Sequence, residues 1–178
     1  MADLLGAIRA HYLKQLSDAV RETPGQVEPR FQIADGALDL QGALALPGRA
    51  DILPADGEPL SVDANSRLTF DPLEVKYLSC VIRFEPFTWD WATVIVHGVS
   101  VADLSPIVKE WFYRWFDPED RNVRDPDGLL GVVHFASDPI EREGGVETTV
   151  DLGSAPTAAL QELVKTIAER GATRISVV

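Results

Sequence analysis

Five residues in this chain combine types and spacing that could do chemistry together: His97, His134, Glu147, Thr149 and Asp151. A neutral imidazole beside a carboxylate can act as a general base near pH 7, and two imidazoles with a carboxylate can hold a divalent cation. The stretches WATVIVHGV (91–99), LLGVVHFAS (129–137) and VETTVDL (146–152) read as strands, rich in β-branched and aromatic residues. Successive strand side chains point to opposite faces. With Ala92, Val94 and Val96 inward, Trp91, Thr93, Ile95 and His97 share the outer face; with Val146, Thr148, Val150 and Leu152 inward, Glu147, Thr149 and Asp151 join them. His134 joins the group if Leu129, Val133 and Phe135 face the core. These five are the expected binding residues, with hydrogen-bonded packing as the competing role.

The other chemistries lack support. Ser100, Ser105 and Ser137 have no G-x-S-x-G context. Gly36, Gly42, Gly48 and Gly57 do not sit between a strand and a following helix, so they form no phosphate loop. The acidic run 117–128 keeps calcium-loop spacing only at Asp125 and Asp127 before Gly128, which favours a solvated turn. Cys80 is the single cysteine, so an intrachain disulfide is excluded, and alternation with apolar neighbours reads as a buried thiol. No catalytic residue, metal site or cofactor is expected.

The 178 residues are 46% hydrophobic, enough for one substantial core. The net charge of −12 argues against nucleic acid and anionic membrane as partners and suits a basic protein partner. No window is long and apolar enough for a membrane span or signal core, and a cytoplasmic location is the default expectation.

The elements that must position the five residues follow from periodicity. Residues 4–20 place Leu5, Ile8, Tyr12, Leu16 and Ala19 on one helical stripe. In DLSPIVKEWFYRWF (103–116), Ser105-Pro106 is a start signal and Leu104, Ile107, Val108, Trp111, Phe112, Trp115 and Phe116 form a broad apolar side. That helix either packs deep on a sheet or offers Trp111, Phe112, Trp115 and Phe116 to a partner chain. Residues 156–170 form another helix, stopped by Gly171. Residues 37–46 alternate, 73–84 read as a strand, and 173–178 close the chain as a strand.

From about residue 91 the order is βαββαβ, that of a ferredoxin-like two-layer α+β sandwich, with an N-terminal helix and additional β segments. The expected organisation is one domain, with 1–72 as a helix and irregular β extension and 73–178 as the α+β core. In that topology the terminal strand Ile175–Val178 lies at an exposed edge, and the outer sheet face is apolar enough to need covering by the N-terminal helix, the 73–84 strand or a second subunit. The expected function is a non-enzymatic binding or regulatory protein acting through protein–protein contacts and self-association, as a homo-oligomer. The alternative is a small-molecule- or metal-dependent enzyme using the face with His97 and Asp151.

Overall fold

The computed structural model describes residues 1–30 and 42–178. Half of the alternating stretch 37–46, residues 37–41, therefore lies outside the described residues, and in the other half Leu44 and Leu46 are buried. Three helices form where the apolar period predicts. Helix α1 (Ala2–Glu22) buries Leu5, Ile8, Tyr12 and Leu16 and ends as Thr23 turns extended. Helix α2 (Val101–Phe116) begins earlier than the Ser105-Pro106 signal. Ser100 is the cap, accepting the Asp103 N–H at 3.2 Å, while the Ser105 hydroxyl turns back to Val101 O at 2.8 Å. Pro106 thus sits inside the helix and forgoes one hydrogen bond, which the burial of Leu104, Ile107, Val108, Trp111, Phe112 and Phe116 outweighs. Helix α3 (Thr157–Glu169) stops at Gly171, whose φ of +99° is left-handed.

Strands β1 (Gly25–Val27) and β2 (Ile52–Pro54) pair with each other. The main sheet holds β3 (Leu73–Tyr77), β4 (Cys80–Phe84), β5 (Ala92–His97), β6 (Phe135–Ala136), β7 (Ile140–Arg142), β8 (Gly145–Asp151) and β9 (Arg174–Val177) in the order β3-β4-β9-β5-β8-β6, with β7 also on β8. Every pairing is antiparallel except β4 with β9. The molecule is α+β, and no described helix is long and apolar enough to cross a membrane.

Four expectations change. The 73–84 strand is a hairpin, broken at Leu78-Ser79 with Leu78 at φ 53°. The terminal strand is interior, paired to β4 and β5, and the edge falls to β3. The 129–137 strand shrinks to Phe135–Ala136, because the preceding backbone is satisfied elsewhere: Val133 N–H donates to Trp115 O at 2.9 Å, and Gly131 and Val132 donate to Ser154 Oγ at 2.8 and 3.1 Å. The outer face stays partly exposed, with Trp91 exposed and Thr93, Ile95 and His97 half-buried. Its register explains why it tolerates water: Thr93 lies opposite Thr149, and Ile95 lies between Glu147 and Ser176.

The inward face carries Ala92, Val94, Val96, Val146, Val150, Ile175, Val177, Cys80, Ile82 and Phe84 into one core with α2 and α3. Trp111, Phe112 and Phe116 are consumed there, Trp111 donating its indole N–H to Ala159 O at 2.8 Å, which leaves half-buried Trp115 as the only one of the four with surface to offer.

Arg49 is buried, unusually for an arginine. Its guanidinium is fully buried under the C-terminus of α2. It donates to Phe116 O at 2.9 and 3.1 Å, Asp117 O at 2.8 Å and Glu28 O at 2.6 Å, pairs with Asp120 Oδ1 at 2.7 Å, and lies 4.7 Å from the Phe116 ring centroid. A cation complements the negative end of the helix dipole, and the planar fork serves several carbonyls at once. Arg49→Met is expected to lower unfolding free energy by about 3–5 kcal/mol by stranding those acceptors, with Arg49→Lys rescuing little. Urea denaturation of the two variants checks this; a loss under about 1 kcal/mol would show that water replaces the guanidinium.

Candidate functional site

The residue with the most perturbed chemistry is His134, on the segment entering β6 and only 1% exposed. Three carboxylates from distant parts of the chain converge on it. Glu28, just after β1, accepts from Nε2 at 2.8 Å. Asp51, at the entry to β2, places Oδ1 3.2 Å from Nδ1. That approach is too oblique for a good hydrogen bond, since Nδ1 lacks a well-aligned acceptor, so the contact is ionic. Asp151, ending β8, has Oδ2 3.8 Å from Nδ1.

Each carboxylate is itself anchored. Glu28 Oε1 also accepts from the Ser154 hydroxyl and Oε2 from the Leu130 N–H. Asp51 takes the Tyr12 hydroxyl at 3.0 Å and the Val62 N–H at 2.7 Å. Asp151 takes the Gly153 N–H at 2.8 Å. Gly153 has a structural reason to be glycine: at φ +48°, a Cβ there would lie 2.3 Å from the imidazole Cδ2. Arg9 of α1 grips the same turn, donating to Ala155 O at 2.7 Å and Ser154 O at 2.8 Å.

Burial acts to lower the His134 pKa, but Asp51, Glu28 and the charge of Asp151 outweigh it and hold it well above 6.5. The ring is therefore an imidazolium near neutral pH. Burial raises the Glu28 and Asp51 carboxyls, and their contacts to His134 and to N–H and O–H donors reverse this and leave both below the ordinary range. Asp151 goes the other way: burial pushes it up to about 7, with the imidazolium opposing and Asp51 adding to the rise.

Of the five residues singled out by sequence, His134 and Asp151 come together, and the other three stand apart from them. His97 is at the far end of β5, opposite Arg174, whereas Asp151 is level with Trp91. Six residues separate those levels, about 20 Å at ~3.3 Å per residue. Glu147 faces Ile95 and Ile140 across the ladder, and Thr149 faces Thr93. Glu28, Asp51 and Ser154 were missing from the sequence reading, and Tyr12 entered it only as a core position of the first helix; Glu28 and Asp51 fall in the Gly-, Pro- and Asp-rich stretch 26–65, where no period marks them.

The cluster is a lock rather than a reaction centre. Nε2 is bonded to Glu28, Nδ1 lies in ionic contact with Asp51 and Asp151, and at 1% exposure the ring offers little surface to a substrate. Among the described residues no group of His, Cys, Asp and Glu is arranged to hold a metal ion. The 117–128 carboxylates also serve their own loop: Asp125 Oδ1 accepts from Asp127 and Leu129 N–H at 2.9 Å each, and Asp117 Oδ2 from Asn122 N–H at 2.8 Å.

What the molecule does present to solvent is the outer sheet face and its edge. Trp91 is 59% exposed there, stacked on Phe135 with centroids 6.0 Å apart and planes 2° from parallel. At the edge, β3 has β4 as its single partner strand among the described residues.

The lock fixes a pH dependence. His134 and Asp151 both have folded pKa values above their unfolded ones, so each contributes stability that is present at low pH and lost as pH rises. For Asp151 the loss runs from about pH 4 to 7, and for His134 it begins above 6.5 and continues beyond it. Glu28 and Asp51 act oppositely, losing their contribution only as pH falls below the ordinary carboxylate range. Melting temperature is therefore expected to peak in mild acid and decline from pH 5 to 9. Asp151→Asn keeps the Gly153 acceptor and removes the charge, so it should flatten the decline and exceed wild type at pH 8 by on the order of 1 kcal/mol or more. Parallel slopes for variant and wild type in thermal melts would contradict this. Comparison with known proteins returned no match: no family model, no curated protein and no solved structure matches this chain.

Proposed function

We propose that this chain is a non-enzymatic binding protein that works through protein–protein contacts and associates with itself. The observation that carries the reading is the outer edge of β3, five residues long, with β4 as its single partner strand among the described residues. An exposed strand edge offers a row of free N–H and C=O groups to another chain. Trp91, stacked on Phe135, adds an anchor of the kind interfaces use. The alternative, an enzyme working on the face with His97 and Asp151, draws no support from geometry that sets them about 20 Å apart.

The finer fold assignment belongs to the same reading. The order β9-β5-β8-β6, antiparallel throughout with α2 and α3 as the connections, supports a ferredoxin-like core to which the β3-β4 hairpin adds two strands beside β9. A cytoplasmic setting and a basic protein partner rest on composition.

Sedimentation equilibrium at micromolar concentration tests self-association. The expected result is a species of at least twice the 19.5 kDa chain mass. A monomer across the whole range would remove the reading.

A further inference from the structure

Resting on that self-association, we infer that two copies of this chain pair β3 against β3, antiparallel, about a two-fold axis at Val75, joining their sheets into one. The hairpin fixes which backbone groups are available. Its two-residue turn makes Tyr77 and Cys80 the hydrogen-bonded pair, so Leu73, Val75 and Tyr77 spend their N–H and C=O groups on β4. Those of Glu74 and Lys76 point outward.

A two-fold at Val75 sets Glu74 opposite the partner's Lys76 and Lys76 opposite the partner's Glu74. Both outward positions then meet as hydrogen-bonded pairs, and both carry opposite charges on the same face. Centring on Glu74 or on Lys76 instead places like charges opposite each other. A one-residue slip puts the helix layers of the two copies on opposite faces. Val75 is the only centre in this strand that satisfies both charge and layer.

The apolar side agrees. Leu73, Val75 and Tyr77 are half-buried at the margin of the core, and the Tyr77 hydroxyl reaches Glu169 of α3 at 2.7 Å. Pairing sets Val75 beside the partner's Val75 and Leu73 beside the partner's Tyr77, closing a margin that each copy leaves half open. A lysine on an edge strand commonly guards against pairing by presenting an unmatched charge. Here Glu74, two residues away on the same face, supplies the match under the two-fold, so the guard becomes a register key. Glu74 already lies 3.3 Å from Arg83 and 3.9 Å from Arg174, which holds it in place on that face.

The test uses the full chain in a Cys80→Ala background, which removes the only native thiol. Val75 would occupy a non-hydrogen-bonded pair with Cα atoms ~4.5 Å apart, inside disulfide range. Val75→Cys is expected to cross-link to a covalent dimer on mild oxidation, while Leu60→Cys, exposed elsewhere, is not. Lys76→Glu, at an exposed position, is expected to raise the dimer dissociation constant on the order of tenfold by turning two attractive pairs repulsive. A dimer that neither cross-links at residue 75 nor weakens with Lys76→Glu would overturn this seam and leave self-association standing. A wild-type monomer at micromolar concentration would overturn both.

Discussion

Four separate stretches of this chain are tied together by one buried imidazolium. His134 sits between Glu28 and Asp51, with Asp151 behind, and those residues come from four separate stretches of chain. Burying ions costs several kcal/mol each, and attraction repays this only where the remaining lone pairs find donors. Here they do: the Leu130, Val62 and Gly153 N–H groups and the Tyr12 and Ser154 hydroxyls each take one carboxylate oxygen. The lock therefore stabilises one arrangement of loops and penalises others, since any displaced segment strands a charge. Arg49 extends it, because its backbone N–H donates to His134 O at 3.0 Å while its side chain holds the end of α2.

This constraint explains why residues 128–134 are buried without being a strand. Leu129, Leu130, Val132 and Val133 have the composition of a core strand and are as buried as one. Their N–H partners, however, are Asp125 Oδ1, Glu28 Oε2, Ser154 Oγ and Trp115 O, reached with Gly131 at φ 71°. Apolar burial and ladder formation are separate requirements. Side chains that satisfy the backbone allow the first without the second.

The sequence was legible where structure follows local period. All three helices lie within a few residues of their predicted spans, and β5 and β8 show the expected inward sets. It was illegible where a contact spans the chain: Glu28 and His134 are 106 residues apart, and Ser154 is 126 from Glu28. The β3-β4 turn was hidden because Leu78 adopts a positive φ usually left to glycine or asparagine. Strand alternation left the side of His134 open, and its meeting place with Asp151 is interior, because the chain leaves strand geometry one residue before β6.

The inward use of ionisable groups also shapes the exterior. The outer face and edge of the sheet carry Lys76, Arg83, Arg142 and Arg174 against Glu74, Glu85 and Glu147. The whole excess of 28 Asp and Glu over 16 Lys and Arg therefore lies on the rest of the chain. Two acidic bodies repel at distances within the Debye length, about 8 Å at physiological ionic strength, on most approaches. The named charges of the outer sheet face are close to balance, so repulsion between two copies is weaker there than between acidic surfaces.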